Sequence, residues 1–125
     1  MPTRQALDAF IAQVVSGDHV GAIADWYAQD AWMQENQGEP RRGREGLMAS
    51  EAKVLARMDK VETELIAPPV VDGDRVVIRW RFTFTAKAGG KVMSMEEVAW
   101  QTWSGDKVVT ETFFYDPAQR AGRKN

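Results

Sequence analysis

Three glutamates stand among apolar neighbours, where an acid is costly to place. Glu35 follows Met33 by two residues in a short run, Ala31 to Asn36, that reads as a strand, so the two side chains share a face. Glu97 falls in the alternation Met93, Met95, Glu97, Ala99, Gln101, Trp103, and Glu111 is in line with Phe113 and Tyr115. A carboxyl surrounded by apolar groups is pushed above its ordinary pKa, and can then exchange a proton near neutral pH. Each also has a plainer reading. Glu35 fits a solvated carboxylate at a strand end, Glu97 a rim carboxylate or buried ion pair, and Glu111 a partner for an arginine. Tyr27 and Tyr115 carry hydroxyls able to donate to a ligand oxygen, although Tyr27 sits on the apolar stripe of a predicted helix, where packing is the simpler role. Trp32, Trp80, Trp100 and Trp103 offer stacking surface, with core or dimer contacts as the alternative.

Composition narrows the classes that could use these groups. The chain has 125 residues, 44% of them apolar, which suits one domain with a real core. Its net charge is −2, which argues against a nucleic-acid groove. The Arg41, Arg42, Arg44 cluster is too small for a phosphate track and reads as a solvated loop. With no cysteine and one histidine, thiolate metal sites and multi-histidine centres are excluded within one chain. His19, at a helix start beside Asp18, reads as structural. No apolar run approaches the ~20 residues that span a bilayer, no basic amphipathic helix is visible, and the N-terminal MPTRQALDAF has no long apolar stretch. A cytoplasmic protein is expected, with no membrane partner.

The elements that must position the acids follow from hydrophobic period. Leu7, Phe10, Ile11, Val14 and Val15 predict a helix over 4–15, and Val20, Ile23, Ala24 and Tyr27 a second over 19–28. After the turn at Gln37 to Pro40, Leu47, Val54, Leu55 and Met58 predict a third over 43–58. The period then changes to two. Strands are predicted over 61–67, 75–85, 91–103 and 107–115, separated by turns at Asp72-Gly73-Asp74, Gly89-Gly90 and Gly105-Asp106. On the second of these strands Val76, Ile78, Trp80, Phe82 and Phe84 take one face. Arg79, Arg81 and Thr83 take the other, where cross-strand pairs with Glu96 fit. Helices followed by hairpins make an α+β domain over 1–117, with a short basic tail over 118–125 that frays from Arg120.

The order of elements and three local strings resemble the nuclear transport factor 2-like superfamily, in its SnoaL-like polyketide cyclase and ketosteroid isomerase branch. The strings are Trp26-Tyr27-Ala28-Gln29-Asp30-Ala31, the run Gly38 to Leu47, and Trp100 to Val109 continuing through Phe113-Phe114-Tyr115-Asp116-Pro117. The resemblance implies a cone-shaped fold, three N-terminal helices packed on a curved antiparallel sheet. It also implies a deep apolar pocket, no cofactor, and a homodimer formed through the sheet, here around Trp100 and Phe114. In the isomerases the proton-shuttling carboxylate falls at the place of Glu35, though usually as aspartate. Their protonated aspartate falls at the place of Ala99, so that role would have to pass to Glu97 or Gln101.

Two functions are compatible with this sequence. One is a cofactor-free enzyme for isomerisation, cyclisation, hydration or dehydration of a small, apolar, oxygenated molecule. Glu35 would be its general base, Glu97 or Glu111 its second acid–base group, and Tyr115 or Gln101 would steady an oxyanion. Trp103, Phe113, Met33 and Tyr27 would contact the substrate. The other is a ligand-carrying or dimerising module without chemistry. Two of the three glutamates converging in an apolar cavity would favour the first, and glutamates turned to solvent or to arginines the second.

Overall fold

Helix formation begins at Thr3, whose hydroxyl accepts a hydrogen bond from the Ala6 amide and caps α1 (Arg4–Val15). In this computed structural model, which describes residues 1–120, Leu7, Phe10, Ile11 and Val14 of α1 are buried as their spacing predicts. Val15, expected on the same face, is 42% exposed. Asp18 caps α2 (His19–Trp26) through the Gly21 amide. This helix stops two residues short of the predicted Ala28. Tyr27 is already extended and opens β1 (Tyr27–Glu35), so it is a strand residue and not part of a helical stripe. Its hydroxyl is tied to Glu111 in the core, and that long-range bond outweighs the local helical pattern.

The chain continues through β2 (Arg41–Arg42), α3 (Arg44–Ala56), β3 (Met58–Leu65), β4 (Val70–Asp72), β5 (Arg75–Ala86), β6 (Val92–Ser104) and β7 (Lys107–Phe114). It then makes one turn of 3-10 helix at Pro117–Gln119. The third helix follows two strands, so the helices do not all lead. The sheet runs β2-β1-β7-β6-β5-β3, with β4 paired to β5. It is a curved, unclosed, mixed sheet and not a wholly antiparallel one. β1 lies parallel to β7, with the other strand pairs antiparallel. Sequence period marks strands but not their direction, and parallel neighbours need a long crossover, which the intervening domain supplies here.

Pairing register sets which side chains share the inner face. Glu35 stands opposite Phe113, Phe113 opposite Ala99, and Ala99 opposite Ile78. One step along, Met33 meets Glu111, Glu111 meets Gln101, and Gln101 meets Val76. Glu97 is across from Trp80. With strict alternation all of these point to the side that the helices cover. There Leu7, Phe10, Ile23, Ile78, Trp80 and Trp103 form the centre of the core, and Phe10 meets Trp103 edge-on at 5.6 Å between ring centroids. The outer face carries the expected charge pairs. Arg79 contacts Glu96 at 3.1 Å, and Arg81 reaches Glu96 at 2.6 Å and Glu64 at 3.3 Å. Among the described residues no helix is long and apolar enough to cross a membrane.

α3 departs from its predicted role as a core helix. Only Leu47 of its predicted inner face is buried, and Val54 is 36% exposed. The helix spans a gap and does not pack flush against the sheet, and that gap is the cavity described next.

Candidate functional site

Between α3 and the inner face of the sheet lies a cavity of about 290 Å³. Met33, Phe82, Phe84, Met93, Met95 and Phe113 supply its apolar walls. Charged side chains enter it from several elements: Glu35 from β1, Arg41 from β2, Glu51 and Arg57 from α3 and its end, Glu97 from β6, and Arg120 from beyond the 3-10 turn. His19, Leu47, Ser50, Val54 and Met58 complete the lining. Ligand pockets generally run from roughly 300 to 1,000 Å³, and this cavity lies just below that range.

Glu97 is one of three glutamates that line that space. Strand alternation places it next to Met95 on the inner face, and its carboxyl has no hydrogen-bond or ion-pair partner among the described residues. Burial pushes its pKa from 4.5 to about 7, helped by the negative charges of Glu111, Glu35 and Glu51 and opposed by Arg120. A carboxyl so placed is divided between acid and carboxylate at neutral pH.

Glu35 has a different setting. The chain turns sharply after it, because Asn36 takes a left-handed conformation (φ 51°) that asparagine tolerates better than most residues. The Asn36 amide donates to the Phe113 carbonyl at 2.9 Å, and its side-chain oxygen accepts from the Tyr115 amide at 3.1 Å. Gly38 completes the turn by donating to the Glu35 carbonyl at 2.9 Å, and a Cβ at Gly38 would approach that oxygen to 3.1 Å. The Glu35 carboxylate is thereby fixed at the cavity mouth, 39% exposed. Its Oε1 accepts from the Tyr115 hydroxyl at 2.6 Å and from Arg120 Nη1 at 2.9 Å, and Arg41 stands 3.9 Å from Oε2.

Glu111 lies beneath the cavity and does not line it. It is 1% exposed, and both oxygens are engaged: Tyr27 donates to Oε1, and Gln101 Nε2 donates to Oε2 at 2.6 Å. Trp103 Nε1 in turn donates to Gln101 Oε1 at 2.9 Å. Burial raises the Glu111 pKa from 4.5 to about 7 against the lowering effect of those two bonds, and the Tyr27 hydroxyl is pushed well above its ordinary range. These four side chains form one satisfied core network, which meets the need of buried polar groups for partners. Of the residues predicted to touch a ligand, Met33 and Phe113 line the cavity, Tyr115 stands at its mouth through Glu35, and Gln101, Trp103 and Tyr27 belong to the core network. Ala99, which the resemblance set at the place of the isomerase aspartate, is fully buried.

Several further residues come to the site without having been predicted there, Arg57 and Ser50 among them. Glu51 lines the cavity with its pKa raised by burial and by Glu35, against the lowering effect of Arg41. Its signal was present: Leu47, Ser50, Glu51 and Val54 follow helical spacing and form one stripe. Arg41, read as part of a solvated loop, lines the cavity because β2 pairs with β1 at Met33. Arg120, read as the start of a frayed tail, is held to Glu35, whereas residues 121–125 of that tail lie outside the described part. His19 also lines the cavity, buried, with Nε2 2.9 Å from the Thr63 hydroxyl and its ring edge-on to Phe82 at 5.6 Å. Burial lowers its pKa, so it is neutral at physiological pH. Among the described residues no group of three or more His, Asp or Glu is arranged to hold a metal ion.

Comparison with known proteins agrees with the architecture. A SnoaL-like polyketide cyclase candidate from Mesorhizobium loti is 26% identical, with a TM-score of 0.74 over 89% of this chain and 97% of that one. An uncharacterised protein of cystatin fold from Novosphingobium aromaticivorans is 25% identical, with a TM-score of 0.75 over 90% and 97%. A SnoaL-like polyketide cyclase candidate from Jannaschia shares the fold at 14% identity, with a TM-score of 0.79 over 94% and 90%. No curated protein sequence matches the chain. The SnoaL-like domain family matches residues 7–111, most of the length, and the chain belongs to that family.

Proposed function

We propose that the cavity is a ligand pocket for a small, apolar, oxygenated molecule, and that Glu97 exchanges a proton with it in cofactor-free acid–base chemistry. Isomerisation, cyclisation, hydration and dehydration all need such a group. The observation that carries this reading is an unpartnered carboxyl set beside Met95 in a cavity walled by methionine and phenylalanine, a setting that pushes its pKa up to about 7. A general base works best when its pKa lies near the working pH. Glu97 therefore takes the role that sequence position suggested for Glu35, whose carboxylate is engaged by Tyr115 and Arg120. Glu111 acts from below as a charge that keeps the Glu97 pKa high. In this reading the domain is a cone with the Glu35 end as its mouth.

The test is hydrogen exchange into an enolisable bicyclic ketone such as 2-tetralone, followed by NMR in deuterated water with wild type and Glu97→Gln. Accelerated exchange that is lost in Glu97→Gln supports the proposal. Acceleration that survives the substitution removes Glu97 from the chemistry. The alternative, a non-catalytic binding module, draws support from Glu35 and Glu111 both being committed to protein partners. It requires that ketones bind without any exchange. A second copy of the chain, docked on the outer sheet face, belongs to either reading.

A further inference from the structure

The mouth of the cavity holds more positive charge than Glu35 can pair. Arg120 Nη1 donates to Glu35 Oε1 at 2.9 Å and also lies 3.0 Å from the Tyr115 hydroxyl, which donates to the same oxygen at 2.6 Å. The other oxygen is loosely held, since Arg41 Nη2 is 3.9 Å from it, beyond a hydrogen bond. Arg57 lines the same cavity from the end of α3 and makes no ion pair with any described residue. Each guanidinium offers five N–H donors in a planar fork suited to a carboxylate, and most of those on these three arginines are unused by the protein.

Arg120 does not owe its place to Glu35 alone. Its neighbour Gln119 is fastened to the β6 backbone, accepting from the Glu96 amide at 2.9 Å and donating to the Glu96 carbonyl at 3.0 Å. The Arg120 guanidinium also lies over the Tyr115 ring at 5.8 Å. The donors are therefore preorganised around a carboxylate position, and preorganisation is what makes a recognition site inexpensive to fill.

We propose that this mouth is a carboxylate-recognition site which Glu35 fills in the free protein, and that the ligand of the cavity is an apolar acid. Its carboxylate exchanges with that of Glu35 at Arg120, Arg41 and Tyr115, while its body enters among Met33, Met93 and Phe113. This rests on the reading of the cavity as a ligand pocket. The exchange leaves the charge at the clamp unchanged. The displaced Glu35 carboxylate, already partly exposed, moves into water, where a charge is cheaply kept. Glu51 and Glu97 line the same space and would repel an anion when ionised. Burial raises the pKa of both, that of Glu97 to about 7, so their opposition weakens as pH falls.

Calorimetric titration at pH 6 with 2-naphthoate, 2-naphthamide and 2-naphthylmethylammonium separates charge from shape. The naphthoate is expected to bind about tenfold more tightly than the amide, the scale of one charge-assisted contact, with the ammonium weakest. Arg120→Gln and Arg41→Gln should each bring the naphthoate close to the amide. Glu35→Gln, which removes the resident competitor, should tighten the naphthoate several-fold. That last result separates exchange at a shared site from a merely structural ion pair, whose loss would weaken binding. An amide that binds as tightly as the naphthoate overturns this inference and leaves the ligand pocket standing, as does an ammonium that binds best. If none of the three binds, the ligand pocket fails and the inference with it.

Discussion

Replacing Glu97 with glutamine should change how the stability of this protein depends on pH, by an amount that follows from its setting. A carboxyl whose pKa is higher in the folded chain than in the unfolded one favours folding while it is protonated. That advantage is complete below the unfolded value of 4.5 and is lost as pH rises through the folded value of about 7. The full difference, about 2.5 pH units at 1.36 kcal/mol each, is roughly 3.4 kcal/mol. Of this, roughly 2.5 kcal/mol falls between pH 5 and pH 8. Glu111 adds a loss of the same sign, and His19, with a lowered pKa, acts in the opposite direction at the acid end. Both persist in Glu97→Gln, so the difference between the two proteins reports Glu97 together with its coupling to Glu111. Urea unfolding at pH 5 and pH 8, extrapolated to water, gives the four free energies required. The wild type should lose about 2–3 kcal/mol more than the variant over that interval. Curves that run parallel within about 0.5 kcal/mol would refute the half-buried, unpartnered setting of Glu97.

Other expectations concern the groups around it. Tyr27→Phe removes a donor from buried Glu111 and should cost about 1–3 kcal/mol of stability, measured by urea unfolding; a loss under about 0.5 kcal/mol would deny the core network its role. His19→Gln should make stability less sensitive to acid. The wild-type histidine, with its folded pKa below 6.5, loses stability as pH falls through that range, and an unchanged acid slope would contradict its burial. Trp100 and Phe114, 44% and 40% exposed on the outer face of the adjacent central strands β6 and β7, should sit in a homodimer interface. Sedimentation at high concentration should show a dimer that Trp100→Glu dissociates, and a wild-type monomer would remove that face as an interface.

The sheet was legible in the sequence because period two is a local property. Arg75 to Ala86 alternates buried and open along most of its length, as the positions of Val76, Ile78, Trp80 and Phe82 require. Strand direction was not legible, since the parallel seam between β1 and β7 depends on contacts some eighty residues apart. Tyr27 shows the same limit: helical spacing carried it into α2, whereas its hydroxyl draws it into the sheet. For the site, alternation put Glu97 and Glu111 each on one face with apolar neighbours, and the family resemblance implied that this face looks inward. Their division into one cavity acid and one core acid followed from neither, because it depends on where α3 stands off the sheet. The capture of Glu35 by Arg120 depends on the chain returning past Pro117 to the mouth, which no pattern near either residue signals.

The central claim is that Glu97 stands in the cavity as a proton-exchanging carboxyl near neutrality. Carbon-detected NMR titration of the glutamate carboxyl groups, with Glu97 assigned by the loss of its signal in Glu97→Gln, measures this directly. The expected midpoint is about 7, up from 4.5. A Glu97 carboxyl that titrates at the ordinary glutamate value, about 4.3, would contradict the account.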